Sequence, residues 1–412
     1  MTQLRKILAP LASLRLTVVL LVLAMFLVLA GTVAQRFAGN WEVVNAYFRS
    51  PFVVIPLHIF YPRDAVAHLL GEPITRFLDG VRFPFPGGLI IGGAMLLNLL
   101  AAHLVRFQLS SKRVGVLVLH AGIVLLLVGE GITALYAHES QMTIDEGSYA
   151  NYTYDLRSAE LALVDDSDPA RDRHVVIPAS LLAAAAASGQ PITDPALPDG
   201  LELRVLKWMD NAAIAALRAA PPEVLKEGNP ATQGFGTQAI AWPIARITGV
   251  EEQVVDAPTA YIQFTHAGKD LGTFLLSLHI DPPQTIEVNG KPFRMNIRFE
   301  RHHKPYTMHL LDFRHDKFVG TDIPRNFSSH IRLVDPTRNE DREVLIYMNH
   351  PLRYAGETLY QSAFKPGDTA TILQVVRNPG WLLPYIACVV VAVGMLIHFG
   401  AILAKFTGRV MG

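Results

Sequence analysis

Four long runs of apolar residues dominate the hydropathy pattern of the chain. They cover Leu16–Ala34, Gly87–Val105, Val114–Tyr136 and Trp381–Leu403. Each run is close to the roughly 20 residues that a helix needs to cross the hydrocarbon core of a bilayer. The pattern therefore predicts an integral membrane protein with four transmembrane helices.

Between residues 137 and 380 the pattern changes to short segments in which apolar and polar residues alternate. Alternation with a period of two, bounded by turn residues, is typical of β-strands. The pair Asn289-Gly290 favours a tight hairpin between two of them. The predicted strands are Ala159–Val164, Ala260–Thr265, Thr273–His279, Thr285–Val288, Arg294–Phe299, Thr307–Phe313, His330–Val334, Glu343–Met348, Thr358–Phe364 and Thr371–Val376. This many short strands predict a mainly-β, sandwich-like domain between the third and fourth helices.

Two segments lack this alternation. Residues 179–237 contain alanine runs and paired prolines, so we interpret them as a helical or irregular insertion in the β-rich domain. Residues 35–86, between the first two apolar runs, are too polar to cross a membrane and too rich in proline for long helices. We interpret them as an outer loop with short interfacial helices, because their aromatic residues suit the headgroup region. An ordinary packed loop is the alternative.

The basic residues assign a side of the membrane to each segment. Residues 1–15, 106–113 and 404–412 hold eight of the 36 basic residues and no acidic residue. Basic flanks of this kind are typical of the cytoplasmic side. The pattern predicts that these three segments are cytoplasmic and that residues 35–86 and 137–380 are extracytoplasmic. A cleaved signal peptide is the alternative for the first run, which is longer than the usual apolar region of such peptides.

Composition excludes several classes of function. The chain carries 36 basic and 36 acidic residues, without the basic patch of a nucleic-acid-binding protein. Its one cysteine, Cys388, lies in the last apolar run, so the outer domain has neither a disulfide nor a thiol. No nucleophile elbow, phosphate-binding loop, HExxH or CxxCH pattern is present. These absences argue against a self-contained enzyme.

Histidines inside the apolar runs are the main candidates for chemistry. His120 lies seven residues after Arg113, and His398 lies seven residues before Lys405. At roughly 1.5 Å per residue, both are expected in one layer about 10 Å from the inner face, with His103 about a turn shallower. Polar side chains at this depth face a bundle interior or a ligand, and imidazole is an axial ligand of haem iron. A hydrogen bond to a neighbouring helix is the alternative for each histidine.

Two other polar features carry weaker signals. Glu130 is the acidic residue within the third run, and snorkelling to the interface is favoured over a contact along a ligand path. The cluster Arg301–Lys304, with His309 and His315, suggests a metal site. Its two adjacent histidines would point to opposite faces of a strand, and its two cations would repel a metal ion. We therefore favour a solvated loop.

Several motifs in the last third of the chain and at both of its ends form a recognisable set. They are Phe318–Ser329, Glu343–Gly356, Leu359–Ser362, Ser13–Thr17, Asn378–Trp381 and Ile397–Phe399. Together they resemble the ResB family of System II cytochrome c biogenesis. The resemblance extends to all four predicted helices but not to the insertion at residues 179–237.

The resemblance implies a haem-handling role in the bacterial cytoplasmic (inner) membrane, with the large domain on the periplasmic side. A ResB-like subunit pairs with a ResC-like membrane subunit that bears a tryptophan-rich haem-binding segment, whereas this chain has four tryptophans. The pair takes up haem b, moves it outward and presents it, reduced, to apocytochrome c, with thiol-reducing proteins as further partners. The chain would then be non-catalytic alone and act within a haem-lyase complex.

The resemblance also implies a ligand for haem iron within the membrane, where a histidine of the ResB-like subunit pairs with one of the partner. His120, in the segment Leu119–Gly122, best matches that position. His398 is the second candidate, and His103 is a further pocket residue. The alternative function is a membrane-anchored extracytoplasmic binding module or assembly scaffold without haem, which would purify with its partner without a Soret band.

Overall fold

The structure is a computed structural model in which the chain forms two compact units. The helical unit comprises Met1–His138, Thr248–Glu251 and Arg377–Gly412, and the β unit comprises Glu139–Ile247 and Glu252–Val376. The residues that the structure describes are 6, 8–105, 113–168, 171–198, 200–247, 255–318, 320, 324–365 and 367–410. Residues of three predictions lie outside this set: Arg5, Arg106 and Lys112 of the basic flanks, Asp199 of the insertion, and Val319 and Thr321–Ile323 of the ResB-like motifs.

Four of the helices match the predicted apolar runs. The helices are α1 (Leu14–Ala34), α2 (Asn40–Val43), α3 (Arg63–Leu70), α4 (Glu72–Gly80), α5 (Gly88–Val105), α6 (Val114–Tyr136), α7 (Ala179–Ser188), α8 (Pro222–Lys226) and α9 (Leu383–Val410). Helices α1, α5, α6 and α9 are long and apolar enough to cross a membrane. They fit a multi-pass membrane protein. Helix α9 differs most from its prediction, because it continues beyond Leu403 to Val410.

The segment between α1 and α5 contains short helices, as predicted, and one pair of strands that was not predicted. Strand β1 (Phe52–Pro56) pairs antiparallel with β2 (Arg82–Pro86). Val53 and Ile55 of β1 are buried in a cluster that includes Leu27 of α1. The segment is therefore packed against α1 through its strands, while Phe77 of α4 is 72% exposed.

Helices α6 and α9 approach each other closely at small residues. The glycines in this contact are Gly115, Gly122 and Gly129 of α6 and Gly394 of α9. A Cβ atom added to Gly122 would lie 2.9 Å from the backbone nitrogen of Val391, and one added to Gly394 would clash with the backbone nitrogen of Leu119. These two nitrogens belong to the backbone, so they cannot move aside as a flexible side chain would. Small residues of this kind let membrane helices pack at short range.

The β unit is built from fifteen strands within the described residues. They are β3 (His138–Asp145), β4 (Tyr149–Asp165), β5 (Arg173–Pro178), β6 (Leu201–Met209), β7 (Ala212–Ala216), β8 (Ala239–Pro243), β9 (Thr259–His266), β10 (Lys269–Ser277), β11 (Gln284–Val288), β12 (Lys291–Lys317), β13 (Pro324–Asp335), β14 (Glu340–Tyr347), β15 (Leu352–Tyr354), β16 (Glu357–Phe364) and β17 (Ala370–Arg377). The largest sheet has the order β14-β13-β12-β4-β3-β17-β16-β15, with β11 on β12 and β5 on β4. A second sheet has the order β10-β9-β6, and β7 pairs with β8. The predicted mainly-β domain is confirmed.

All ten predicted segments lie in strands, and the predicted hairpin is present; Arg294–Phe299 and Thr307–Phe313 are parts of the single strand β12. Val288 pairs with Lys291 across the turn, and Asn289 and Gly290 both have positive φ, as a tight two-residue turn requires. The interpretation of residues 179–237 was correct for α7 but wrong for β6 and β7. In β6 the alternation of buried and exposed residues is present but short. In β7 an alanine-rich sequence is held as a strand by its pairing with β8, which outweighs local helix propensity.

Two large hydrophobic cores and a smaller cluster around Tyr261 and Leu275 lie within the described residues of the β unit. The first is formed where the three-stranded sheet and α7 pack against β4, β11 and β12, and includes the fully buried Leu161, Leu203 and Met295. The second is lined by strands of the large sheet from β3 to β17, and includes the fully buried Met308 and Leu359. Strand β12 contributes to both cores, so it joins the two halves of the unit.

A buried polar network accompanies the second core. Glu357 accepts hydrogen bonds from Lys304 at 2.5 Å and from the Tyr306 hydroxyl at 2.7 Å. The Tyr306 ring packs edge-on against Tyr354, whose hydroxyl donates to Asp335 at 2.7 Å. Burial raises the pKa of Tyr354 to about 12, with a further contribution from Asp335. Removing one member of a buried charged pair costs about 3–5 kcal/mol, so this network constrains how β12, β13, β15 and β16 pack.

We predict that the contribution of Asp335 to stability depends on pH. Hydrogen bonds from the Thr337 hydroxyl and from Tyr354 hold the pKa of this carboxyl below its usual range. The stabilisation of the fold by ionised Asp335 is therefore complete above the ordinary aspartate pKa of about 3.9. It is lost as the pH falls through the lower pKa that Asp335 has in the folded state. Asp335→Asn should lower the thermal unfolding midpoint at pH 7, and the deficit should shrink below about pH 4.

Asp316→Asn is the matched control, because Asp316 is an exposed residue of the neighbouring strand β12. Its unfolding midpoint should stay near that of the wild type at both pH values. A deficit in Asp335→Asn that is equal at every pH would contradict the prediction, since it would come from packing instead of charge.

We predict that Gly122→Val separates α6 from α9. The added side chain would meet backbone atoms of Val391 and Ala387, and overpacking of this kind costs typically about 1–3 kcal/mol. Gly131→Val is the control on the same helix, because no atom lies within 4 Å of the position of its Cβ. Denaturant titration of the full chain in lipid nanodiscs measures both free energies of unfolding. Equal losses in the two variants would show that helix propensity, and not the close contact, is responsible.

Candidate functional site

Two histidines on neighbouring long helices contact each other. His103 of α5 and His120 of α6 lie with Nε2 of His103 3.1 Å from Nδ1 of His120. Their rings are nearly perpendicular, with 4.9 Å between centroids. At its other nitrogen, Nδ1, His103 contacts the carbonyl oxygen of Leu99 at 2.8 Å. Both histidines are partly buried.

The prediction that His120 and His398 lie in one layer is wrong. On the packed face of α6 and α9, the backbone of His398 lies opposite Gly115, and Leu119 lies opposite Gly394. His398 is thus offset from His120 by about five residues, or roughly 7.5 Å along the helix pair. The prediction took Arg113 and Lys405 as level with each other, whereas the pairing of Gly115 with His398 places Lys405 beyond the level of Arg113. The histidine that the structure brings to His120 is His103.

A second polar contact within the helices was missed in the sequence. Asn98 of α5 is buried, and its side-chain oxygen accepts a hydrogen bond from the Thr17 hydroxyl of α1 at 2.7 Å. Its side-chain nitrogen donates to the carbonyl oxygen of Leu11 at 2.5 Å. The sequence contained the signal for this contact, because an amide side chain within an apolar run needs a hydrogen-bond partner. The contact fixes the rotation of α5 about its axis, and so the face on which His103 lies.

Glu130 does not join these contacts. It lies on α6 next to Gly129, whose face is covered by Leu383 of α9, and its own side chain is exposed. The expectation that it snorkels to a membrane interface remains a prediction.

The basic and histidine-rich segment Arg301–Lys304 is part of strand β12 and not the solvated loop that the sequence suggested. Its two cations have partners in other strands: Lys304 pairs with Glu357, with both side chains mostly buried, and the Arg301 guanidinium lies 4.2 Å from the centre of the Tyr152 ring. The prediction was wrong because the segment lies in the middle of a 27-residue strand that serves both cores. Among the described residues, no three His, Cys, Asp or Glu side chains converge as a metal ion would require.

Near that segment, a buried ion pair lies beside two histidines. Arg298 donates to Glu160 at 2.9 Å, and its second nitrogen contacts Nδ1 of His174 at 3.2 Å. The His174 ring packs edge-on against His303, with 5.6 Å between centroids. Burial lowers the pKa of His174, and the Arg298 charge lowers it further. The ion pair of Arg298 and Glu160 and the neutral form of His174 stabilise the contact of β4, β5 and β12.

His315 is the histidine of the predicted cluster with the most enclosed ring. Its Nδ1 lies 3.2 Å from a carboxylate oxygen of Asp368, and its Nε2 is buried without a hydrogen-bond partner. The rings of Phe327 and Phe364 pack against it at 4.5 and 4.8 Å between centroids. His309 lies apart from it on β12, next to Tyr149.

Comparison with known proteins identifies part of the β unit. Residues 283–372 match the sequence model of the ResB-like family. Protein NrfI of Wolinella succinogenes is 29% identical over 92 residues, which make up 22% of this chain and 10% of that relative. The aligned part thus spans about a tenth of the relative's length. The resemblance seen in the sequence is therefore confirmed for a segment that extends from β11 into β17.

The matched segment and the histidine pair lie in different parts of the chain. Residues 283–372 contain the buried network of Lys304, Tyr306 and Glu357, whereas His103, His120 and His398 belong to the long helices. Four apolar helices and a mainly-β unit that carries the family segment thus occur in one chain. In residues 283–372, this protein is similar to the ResB-like family.

Proposed function

We propose that this protein is a membrane subunit of cytochrome c biogenesis that binds haem in transit and helps to present it to apocytochrome c. The match of residues 283–372 to the ResB-like family carries this proposal. Four helices of membrane-spanning length support a multi-pass membrane subunit. The family resemblance further supports membrane partners, among them a ResC-like subunit that supplies the tryptophan-rich haem-binding segment, and thiol-reducing proteins.

His120 is the residue of this chain that fits a haem ligand best. Its Nε2 has no hydrogen-bond partner among the described residues, and its ring is only partly buried. The helices around it are apolar, as a pocket for the macrocycle requires, and one imidazole suffices because the porphyrin supplies four ligands of its own. Bound haem would supply a redox-active iron whose potential its axial ligands tune.

Within this role, each part of the chain has a separate task. His120 would hold the haem iron, and the surrounding apolar side chains would exclude water. A histidine of the partner subunit would be a further ligand. His398, offset from His120 by about five residues, would be the second candidate for contact with the haem. The β unit would offer a surface for the partner or for apocytochrome c.

We predict that both termini are cytoplasmic and that the β unit lies on the periplasmic side of the bacterial inner membrane. Basic segments without acids flank the helices on one side only, which favours this orientation. Alkaline phosphatase fused after Gly290 should be active in intact cells, and a fusion after Gly412 should be inactive as the control. An inactive fusion after Gly290 would contradict this orientation.

We predict that His120→Ala removes most of the haem that purifies with the complex and abolishes cytochrome c maturation. The variant loses an axial imidazole while the chain stays in the membrane. The measurement is the Soret band of the protein co-expressed with its ResC-like partner. Added imidazole should restore part of the haem by filling the vacated position.

His68→Ala is the control, because His68 is an exposed histidine on the short helix α3. It should keep the wild-type haem content. If His120→Ala also keeps a wild-type Soret band and full maturation, His120 is a packing residue and the site lies at His398 or on the partner. A complex without any Soret band would favour a scaffold without haem.

A further inference from the structure

We propose that His103 is a positioning residue: it fixes the tautomer and the orientation of the His120 ring and is not itself a haem ligand. This inference rests on the proposed haem-binding role of His120. Two contacts carry it. One joins Nδ1 of His103 to the carbonyl oxygen of Leu99 at 2.8 Å, and the other joins Nε2 of His103 to Nδ1 of His120 at 3.1 Å.

The contact with Leu99 determines which nitrogen of His103 carries the proton. A carbonyl oxygen accepts hydrogen bonds and cannot donate one, so Nδ1 of His103 must be the donor. A charged side chain within a membrane-spanning helix is costly, which favours the neutral ring. In a neutral imidazole with its proton on Nδ1, Nε2 carries a lone pair and is an acceptor. His103 therefore presents an acceptor to His120.

The second contact then determines the tautomer of His120. Because Nε2 of His103 accepts, Nδ1 of His120 must donate. The neutral His120 ring consequently has its lone pair on Nε2, the nitrogen that makes no hydrogen bond among the described residues. The nearly perpendicular rings agree with this, since an N–H in the plane of one ring points at the edge of the other. The chain of hydrogen bonds leaves one free lone pair, on His120.

This arrangement is the one that a ligand histidine needs. Histidines that bind metals usually donate their other ring N–H to an acceptor, which fixes the ring and raises the basicity of the ligating nitrogen. Here the acceptor is a neutral imidazole, which costs less to bury among apolar helices than a carboxylate would. Because Nε2 of His103 is already engaged, His103 cannot ligate iron while it holds His120.

The two hydrogen bonds, from His120 to His103 and from His103 to Leu99, form a relay that can be tested without haem. The full chain, labelled with 15N-histidine and placed in lipid nanodiscs, should show His120 protonated at Nδ1 and unprotonated at Nε2 in NMR spectra near neutral pH. His103 should show the same tautomer, and signals are assigned by their loss in His103→Leu and His120→Ala. In His103→Leu, His120 should become a mixture of tautomers. Wild-type His120 protonated mainly at Nε2 would overturn the proposal.

The haem complex gives a second readout. His103→Leu removes the acceptor and should weaken haem retention about 10–100-fold, as loss of a partner of a metal ligand typically does. The midpoint potential should rise, because the His120 imidazole becomes less electron-rich. His103→Gln is the matched variant, since its amide oxygen can accept from His120 and its amide nitrogen can donate to Leu99. It should restore both properties in part.

Three results would overturn the proposal or separate it from the proposed function. Wild-type haem retention and potential in His103→Leu would show that His103 does not position His120. Restoration of haem by added imidazole in His103→Gly, as in His120→Gly, would make His103 a ligand. Full haem content in His120→Ala would refute the proposed site itself, and the NMR measurement on the haem-free chain would then still decide whether the relay exists.

Discussion

The backbone contact between α6 and α9 is the constraint on which the helical unit depends. Glycines spaced seven residues apart on α6, and Gly394 on α9, remove the side chains that would hold the helices at an ordinary distance. In a membrane, where apolar burial gives little drive for helices to associate, close packing supplies much of the attraction. The contact occupies one face of α6 and leaves His120 to meet α5 on another. It also sets the offset of His398.

Most of the secondary structure could be predicted because each element depends on a local pattern. Three such patterns are the apolar runs of membrane length, the period-two alternation and the pair Asn289-Gly290. Each of them is determined by residues that are close together in the sequence. Strand β7 could not be predicted, because its alanines prefer a helix and only pairing with β8 makes them a strand. The prediction of a solvated loop at Arg301–Lys304 was wrong for a similar reason. Its charges suggested exposure, but Glu357, 53 residues away, accepts a hydrogen bond from Lys304.

The candidate site was predictable in its residues but not in its geometry. That His103, His120 and His398 are polar groups in apolar runs is visible in the sequence. Their mutual distances depend on where each helix ends and how it is rotated, and neither follows from hydropathy. Gly115 lies opposite His398, so Arg113 and Lys405 are not level and depths counted from them are not equivalent. The rotation of α5 depends on the contact of Asn98 with Thr17, which joins positions 81 residues apart.

The segment that matches the ResB-like family and the candidate histidines lie in different units. In the network of Lys304, Tyr306 and Glu357, each lost partner would leave an uncompensated polar group in a core. The histidine pair is an ordered set of hydrogen bonds of a different kind. Each N–H meets one acceptor in order from His120 through His103 to Leu99, and this order leaves a lone pair at a single nitrogen.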